Sequence, residues 1–233
     1  TGGEISGESL VATSQSGVKA NTKLKSVTIS VNEAGNIELS NNGAIELVRL
    51  RANDGQIAVQ ATGTITATEL ITEGSSNRNG IVLSTYKTGE SAADIKVTSI
   101  KASQGTTAGL GDVTLHAQGA ITQTSGTIAA DVLSITVQGV LTLLTQVNAI
   151  SLDNTQAGNV TLTQTGGREK LLLDQVRIYD GDLSVTADTT VELGDVRLAK
   201  ESSASGSGDT ISWTDHKVTI KTDQAANAGD ILV

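Results

Sequence analysis

The 233-residue chain contains no cysteine, no proline, no methionine and no phenylalanine, and its aromatic side chains are Trp213, Tyr86 and Tyr179 alone. The lack of cysteine excludes disulfide scaffolds, thiolate zinc sites and iron–sulfur clusters. Two histidines far apart in sequence, His116 and His216, make a His-based metal site or a Ser-His-Asp triad hard to assemble. A net charge of −9 argues against a general nucleic-acid binder, because phosphate contact needs a basic surface. No run approaches the ~18 apolar residues of a membrane-spanning helix. The first residues carry no basic-then-apolar signal segment, so an export signal is expected to lie elsewhere. Without large rings or methionine, any core is built from Val, Ile, Leu and Ala.

What the sequence has in quantity is threonine (32), serine (22) and glycine (25). It also has a short recurring unit: glycine, a polar residue, a branched apolar residue, a polar residue, another apolar residue. Examples are Gly35-Asn36-Ile37-Glu38-Leu39, Gly55-Gln56-Ile57-Ala58-Val59, Gly111-Asp112-Val113-Thr114-Leu115, Gly158-Asn159-Val160-Thr161-Leu162 and Gly181-Asp182-Leu183-Ser184-Val185. Gly35 to Gly55, Gly43 to Gly63 and Gly119 to Gly139 are each 20 residues apart. A fixed short period is the signature of a repeat architecture.

Within each unit apolar and polar residues alternate, the period-2 pattern of a half-buried strand. Thr, Val and Ile suit a pleated surface. The glycine is expected to turn the chain with positive φ, and the neighbouring Asn or Asp to brace the corner through a local side-chain bond. Two or three strands per turn of about 20 residues make a parallel β-helix. Turns stacked at ~4.8 Å give roughly eleven turns and a rod on the order of 50 Å. The bore of such a solenoid is narrow and its inward positions stack directly, which accounts for aliphatic residues in place of rings. Proline would remove a donor from a ladder paired on both sides. A β-sandwich is the competing architecture, but sandwiches usually have a buried aromatic core and proline in their loops.

Four polar, aperiodic stretches, 73–80, 87–94, 103–111 and 200–208, read as projecting loops. The segments Thr142 to Leu152 and Arg168 to Ile178 read as strand pairs. Residues 1–233 are expected to form one domain. The chain closes on Gly229-Asp230-Ile231-Leu232-Val233, a strand unit in progress, with no capping helix visible. That predicts a section of a longer rod, or a module that stacks end to end with like subunits.

Units such as Ala157-Gly158-Asn159-Val160-Thr161-Leu162 and Ala228-Gly229-Asp230-Ile231-Leu232-Val233, at their spacing, resemble the repeats of large bacterial exoproteins of the filamentous-haemagglutinin type. The resemblance covers nearly the whole chain through degenerate repeats; the family's amino-terminal secretion domain is not recognisable. It implies a right-handed β-helical filament, secreted or held at the surface of a Gram-negative bacterium after export with an outer-membrane partner. It also implies host-cell, matrix or surface ligands, glycan or protein, and a structural or adhesive role without catalysis.

The enzymatic alternative uses the same architecture, since polysaccharide lyases and glycoside hydrolases are also built on parallel β-helices. They need a carboxylate pair or a calcium-binding carboxylate cluster with a nearby cation. The best local candidate is Asp174, Arg177, Asp180 and Asp182, with Tyr179 available to stack on a sugar ring. The plainer reading makes Asp180-Gly181-Asp182 an ordinary turn. Asp112, Asp182, Asp195, Asp209 and Asp230 all follow glycine and could bind calcium between turns, but Asp there is more often a turn former. The chain is therefore expected to hold no metal and no cofactor. Thr62, Thr64, Thr66 and Thr68 alternate like a hydroxyl ladder, yet the run is not repeated at the same register. Trp213 with His216 could mark a contact spot.

Overall fold

The computed structural model describes residues 3–74, 79–86, 93–104, 109–166, 169–198, 216–222 and 231–232. Among the described residues all regular structure is β-strand, and the strands pair in parallel from one coil to the next. The chain is a β-solenoid. The exception to parallel pairing is a small hairpin edge in which Ser103 and Gln104 oppose Leu110 and Gly109. The remainder of the predicted loops at 73–80, 87–94 and 103–111 falls largely outside the described residues, as do the loop 200–208, Trp213, Asp209 and Asp230.

Two series of strands run the length of the solenoid. In the first, Val18, Ile37, Ile57, Ile81, Val113, Leu133, Ile150, Leu173 and Leu193 stack in register, one per coil. In the second, Ile45, Ile65, Ile95, Ile121, Leu141, Val160, Leu183 and Val218 do the same. The inward side chains of both series form one continuous aliphatic core without an aromatic ring. Among the described residues the first ladder has nine rungs, with Glu4–Ser14 pairing before it and Ile231–Leu232 after it, and its coils are unequal: Ile81 to Val113 spans far more than one 20-residue period. Eight intervals of ~4.8 Å give that ladder a length of roughly 40 Å.

Corners form in two ways. In the long strands the in–out alternation slips by one residue, so that two neighbours face solvent together. Val48 and Arg49 do this in Ile45–Asn53, and Asp174 and Gln175 do it in Lys170–Asp180. The backbone stays extended while its buried face changes side. Lys170–Asp180 is thus one bent strand, not the strand pair expected from its sequence. Thr142 to Leu152 does divide, into Leu141–Gln146 and Ala149–Ala157.

The other corners carry the glycines, some with the expected positive φ and others with a different role. Gly43 has the positive φ (+112°) that a turn requires. Gly55 and Gly158 are glycine for want of space: a Cβ on Gly55 would overlap the carbonyl of Gly35 one coil away, and one on Gly158 would overlap the carbonyl of Gly139. The coils touch backbone to backbone at these corners.

Asn and Asp side chains at four corners bond between coils rather than to their own turn. Asn36 Oδ1 accepts the Gln56 N–H at 2.9 Å, and Asp94 Oδ1 accepts the Ala120 N–H at 2.9 Å. Asn159 Oδ1 accepts the Asp182 N–H at 3.0 Å, and Asp182 Oδ1 accepts the Lys217 N–H at 2.9 Å. Each carboxylate or amide extends the ladder through a corner where the backbone alone cannot reach.

Candidate binding groove

Along the first strand series the outward residues form two columns over five successive coils. One reads Thr114, Ser134, Ser151, Gln175, Asp195; the other reads His116, Thr136, Asp153, Arg177, Arg197. Two adjoining hollows lie on this face and share Asp153 and Arg177. The larger, about 510 Å³, is lined by Asp153, Thr155, Arg177, Tyr179 and Arg197; the smaller, about 180 Å³, reaches down to Thr114 through Ser134 and Ser151. Together they make a shallow groove parallel to the solenoid axis.

The charges in the groove are arranged unlike those elsewhere on the rod. Several cations elsewhere meet carboxylates on the next coil: Lys19 Nζ lies 2.6 Å from Glu38 Oε2, Arg49 Nε 2.8 Å from Glu69 Oε2, and Lys170 Nζ 2.9 Å from Glu192 Oε2. Lys19 donates a hydrogen bond to Glu38 and, with its charge, holds that carboxyl below the usual carboxylate range. In the groove Arg177 instead stands in register with Arg197, a like-charge neighbour that costs stability in a sheet. Arg197 Nε is held by Asp195 Oδ1 of its own strand at 2.7 Å. Among the described residues Arg177 takes part in no ion pair, although Asp153 is its partner one coil below. Tyr179, two residues on, is 38% exposed.

The four residues singled out from the sequence do not converge. Arg177 lines the groove. Asp174 faces solvent at the corner of its strand, and Asp180 ends that strand six residues further on. Asp180 Oδ1 lies 3.5 Å from His216 Nε2. Asp182 is taken up by the bond from Lys217. Of the four, Arg177 alone lines the groove, Asp174 stands at the strand corner, and Asp180 and Asp182 lie together beside His216 and Lys217. Asp112 likewise accepts the Val132 N–H at 3.3 Å, and among the described residues no three His, Cys, Asp or Glu side chains gather as metal ligands would.

Sequence reasoning missed Asp153 and Arg197. Arg197 was within reach, since it stands one 20-residue period after Arg177; Asp153 was not, because the coil between them is longer. The run at Thr62 to Thr68 makes no ladder, for Thr66 is flanked in register by Glu46 and Lys96. A hydroxyl column does form further up the same series, through Thr122, Thr142, Thr161, Ser184 and Thr219. No protein-family model, curated protein or solved structure matches this chain.

Proposed function

We propose that the chain is a non-catalytic, structural or adhesive section of a fibrous exoprotein of the filamentous-haemagglutinin type, secreted or displayed at a Gram-negative cell surface through an outer-membrane export partner. The observation that carries this reading is the use made of the polar residues. Asn36, Asp94, Asn159 and Asp182 bond one coil to the next, so the sequence spends its corner carboxylates and amides on continuity along an axis. A ladder paired throughout in one direction is stiff, and its stacking has no intrinsic stopping point. Host-cell, matrix or surface glycans and proteins are the partners such a rod would meet, with like subunits at its ends; the net charge of −9 disfavours nucleic acid.

A polysaccharide-cleaving enzyme draws less support, because such enzymes need a pair of free carboxylates flanking one glycosidic bond, whereas Asp182 is engaged by the Lys217 N–H and Asp174 stands six residues from Asp180 at the strand corner. Small-angle scattering of the purified chain tests the rod, and surface labelling of the source bacterium tests display. An elongated profile, with surface signal lost when the export partner is deleted, is the expected pair of results. A spherical profile would overturn the scaffold reading, and a cytoplasmic pool untouched by the deletion would overturn the export route.

A further inference from the structure

The geometry points to a carbohydrate-binding site on the outer face of the solenoid: a linear, neutral oligosaccharide lying along the axis in the groove of Asp153, Arg177, Tyr179 and Arg197. Three observations independent of the scaffold reading lead there. The first is spacing. Successive coils repeat at ~4.8 Å, close to the ~5 Å rise per sugar of an extended pyranose chain, so each sugar would meet the outward pair of one coil. The groove runs over five coils, from Thr114 to Arg197, which sets the length of chain it can hold.

The second is the polar chemistry. Asp153 and Arg177 are neighbours in register yet form no ion pair, so an acceptor-only group and a donor-only group stand side by side with open valences. That is the complement of adjacent sugar hydroxyls, each of which donates and accepts. Asp153 in the groove and Asp195 in the adjoining outward column, which holds Arg197, offset the two arginines, so this face carries no net charge and has no preference for a polyanion. The third is Tyr179, which offers an exposed apolar ring at the wall of the larger hollow, where the C–H face of a sugar would pack. The contrasting hollow at Lys19 and Glu38 has its charges already closed on each other.

The test is calorimetric titration of the chain with cello-, xylo-, manno- and galacto-oligosaccharides of one to six units, and with oligogalacturonate as the anionic comparison. At least one neutral series is expected to bind with an affinity that rises with length and levels off at about five units, the reach of the groove. Arg177→Gln and Tyr179→Ala should each weaken that binding about tenfold, while Lys19→Gln leaves it unchanged. Circular dichroism confirms that the variants keep their strand content. Absence of neutral binding up to about 10 mM overturns the proposal. So does binding that ignores both groove variants, or a clear preference for the uronate. The rod-shaped scattering profile is unaffected by any of these outcomes, so the groove and the scaffold stand or fall separately.

Discussion

Inside the bore, the hydroxyl of Thr145 donates to Oε1 of Gln164 on the next coil at 2.8 Å. The amide of Gln164 then closes on the peptide of Val147, its Nε2 donating to the Val147 carbonyl at 2.8 Å and its Oε1 accepting the Val147 N–H at 3.3 Å. The same device occurs near the other end of the rod. Thr22 donates to Asn41 Oδ1 at 2.8 Å, and Asn41 pairs with both backbone groups of Leu24. All four side chains are at most 2% exposed. At a corner the backbone turns away from its ladder and leaves an N–H and a C=O inside the bore; a buried amide is the side chain that satisfies both at once.

Gln164→Leu keeps the approximate volume and removes the partners of Val147 and Thr145. It is expected to cost about 1–3 kcal/mol, the penalty of buried polar groups left without bonds. Gln164→Glu should be worse at neutral pH, since it places a charge in an aliphatic bore. Urea unfolding followed by circular dichroism measures both. A loss under a few tenths of a kcal/mol for the leucine variant would show that the corner finds other partners.

Gly55→Ala is expected to destabilise by roughly 1–3 kcal/mol, because the added methyl meets the Gly35 carbonyl and the coils must part. Gly7→Ala is the comparison: its added methyl lies 3.7 Å from Leu24 Cδ2, an ordinary contact. That change should fall within about 0.5 kcal/mol. Equal losses at the two sites would mean that stacking distance does not explain the corner glycines.

Asp182 separates a structural from a catalytic use of the same residue. Asparagine keeps the oxygen that accepts the Lys217 N–H and should leave stability nearly unchanged; alanine loses it at a cost of about 1 kcal/mol. Thermal melts of the two variants decide the matter.

The Lys19–Glu38 pair sets an acid-side dependence. Because Lys19 lowers the Glu38 pKa in the folded chain, the contribution is present at neutral pH and is lost as pH falls through that lowered value. Lys19 is largely exposed and Glu38 partly so, so the effect is small and fades with added salt. Carboxyl chemical shifts should show Glu38 titrating at higher pH in Lys19→Met than in the parent chain.

Much of this solenoid was legible beforehand. Alternation in the unit Gly-polar-Ile-polar-Leu, repeated every 20 residues, dictates short half-buried strands that must stack on their own kind, and the missing rings fit the narrow aliphatic bore. The lengths of individual coils were not legible, since the long coil between Ile81 and Val113 uses residues that add no rung. Nor was the partner of each corner Asn and Asp: sequence proximity suggested a local bond, while stacking brought the next coil's N–H closer. Of the candidate cluster, adjacency in sequence grouped Asp174, Arg177, Asp180 and Asp182, but the strand corner sets Asp174 apart and Arg177 turns into the groove, while Asp180 and Asp182 stay beside His216 and Lys217.

Within each short unit, sequence alone determined which side chains face the bore and which face water, because that follows from a two-residue period; where that period slips, as at Val48–Arg49 and Asp174–Gln175, it did not. Tertiary structure decided which outward residues become neighbours. That depends on coil lengths set by insertions, and it is why Asp153, Arg177 and Arg197 share one groove while Asp174 and Asp180 do not.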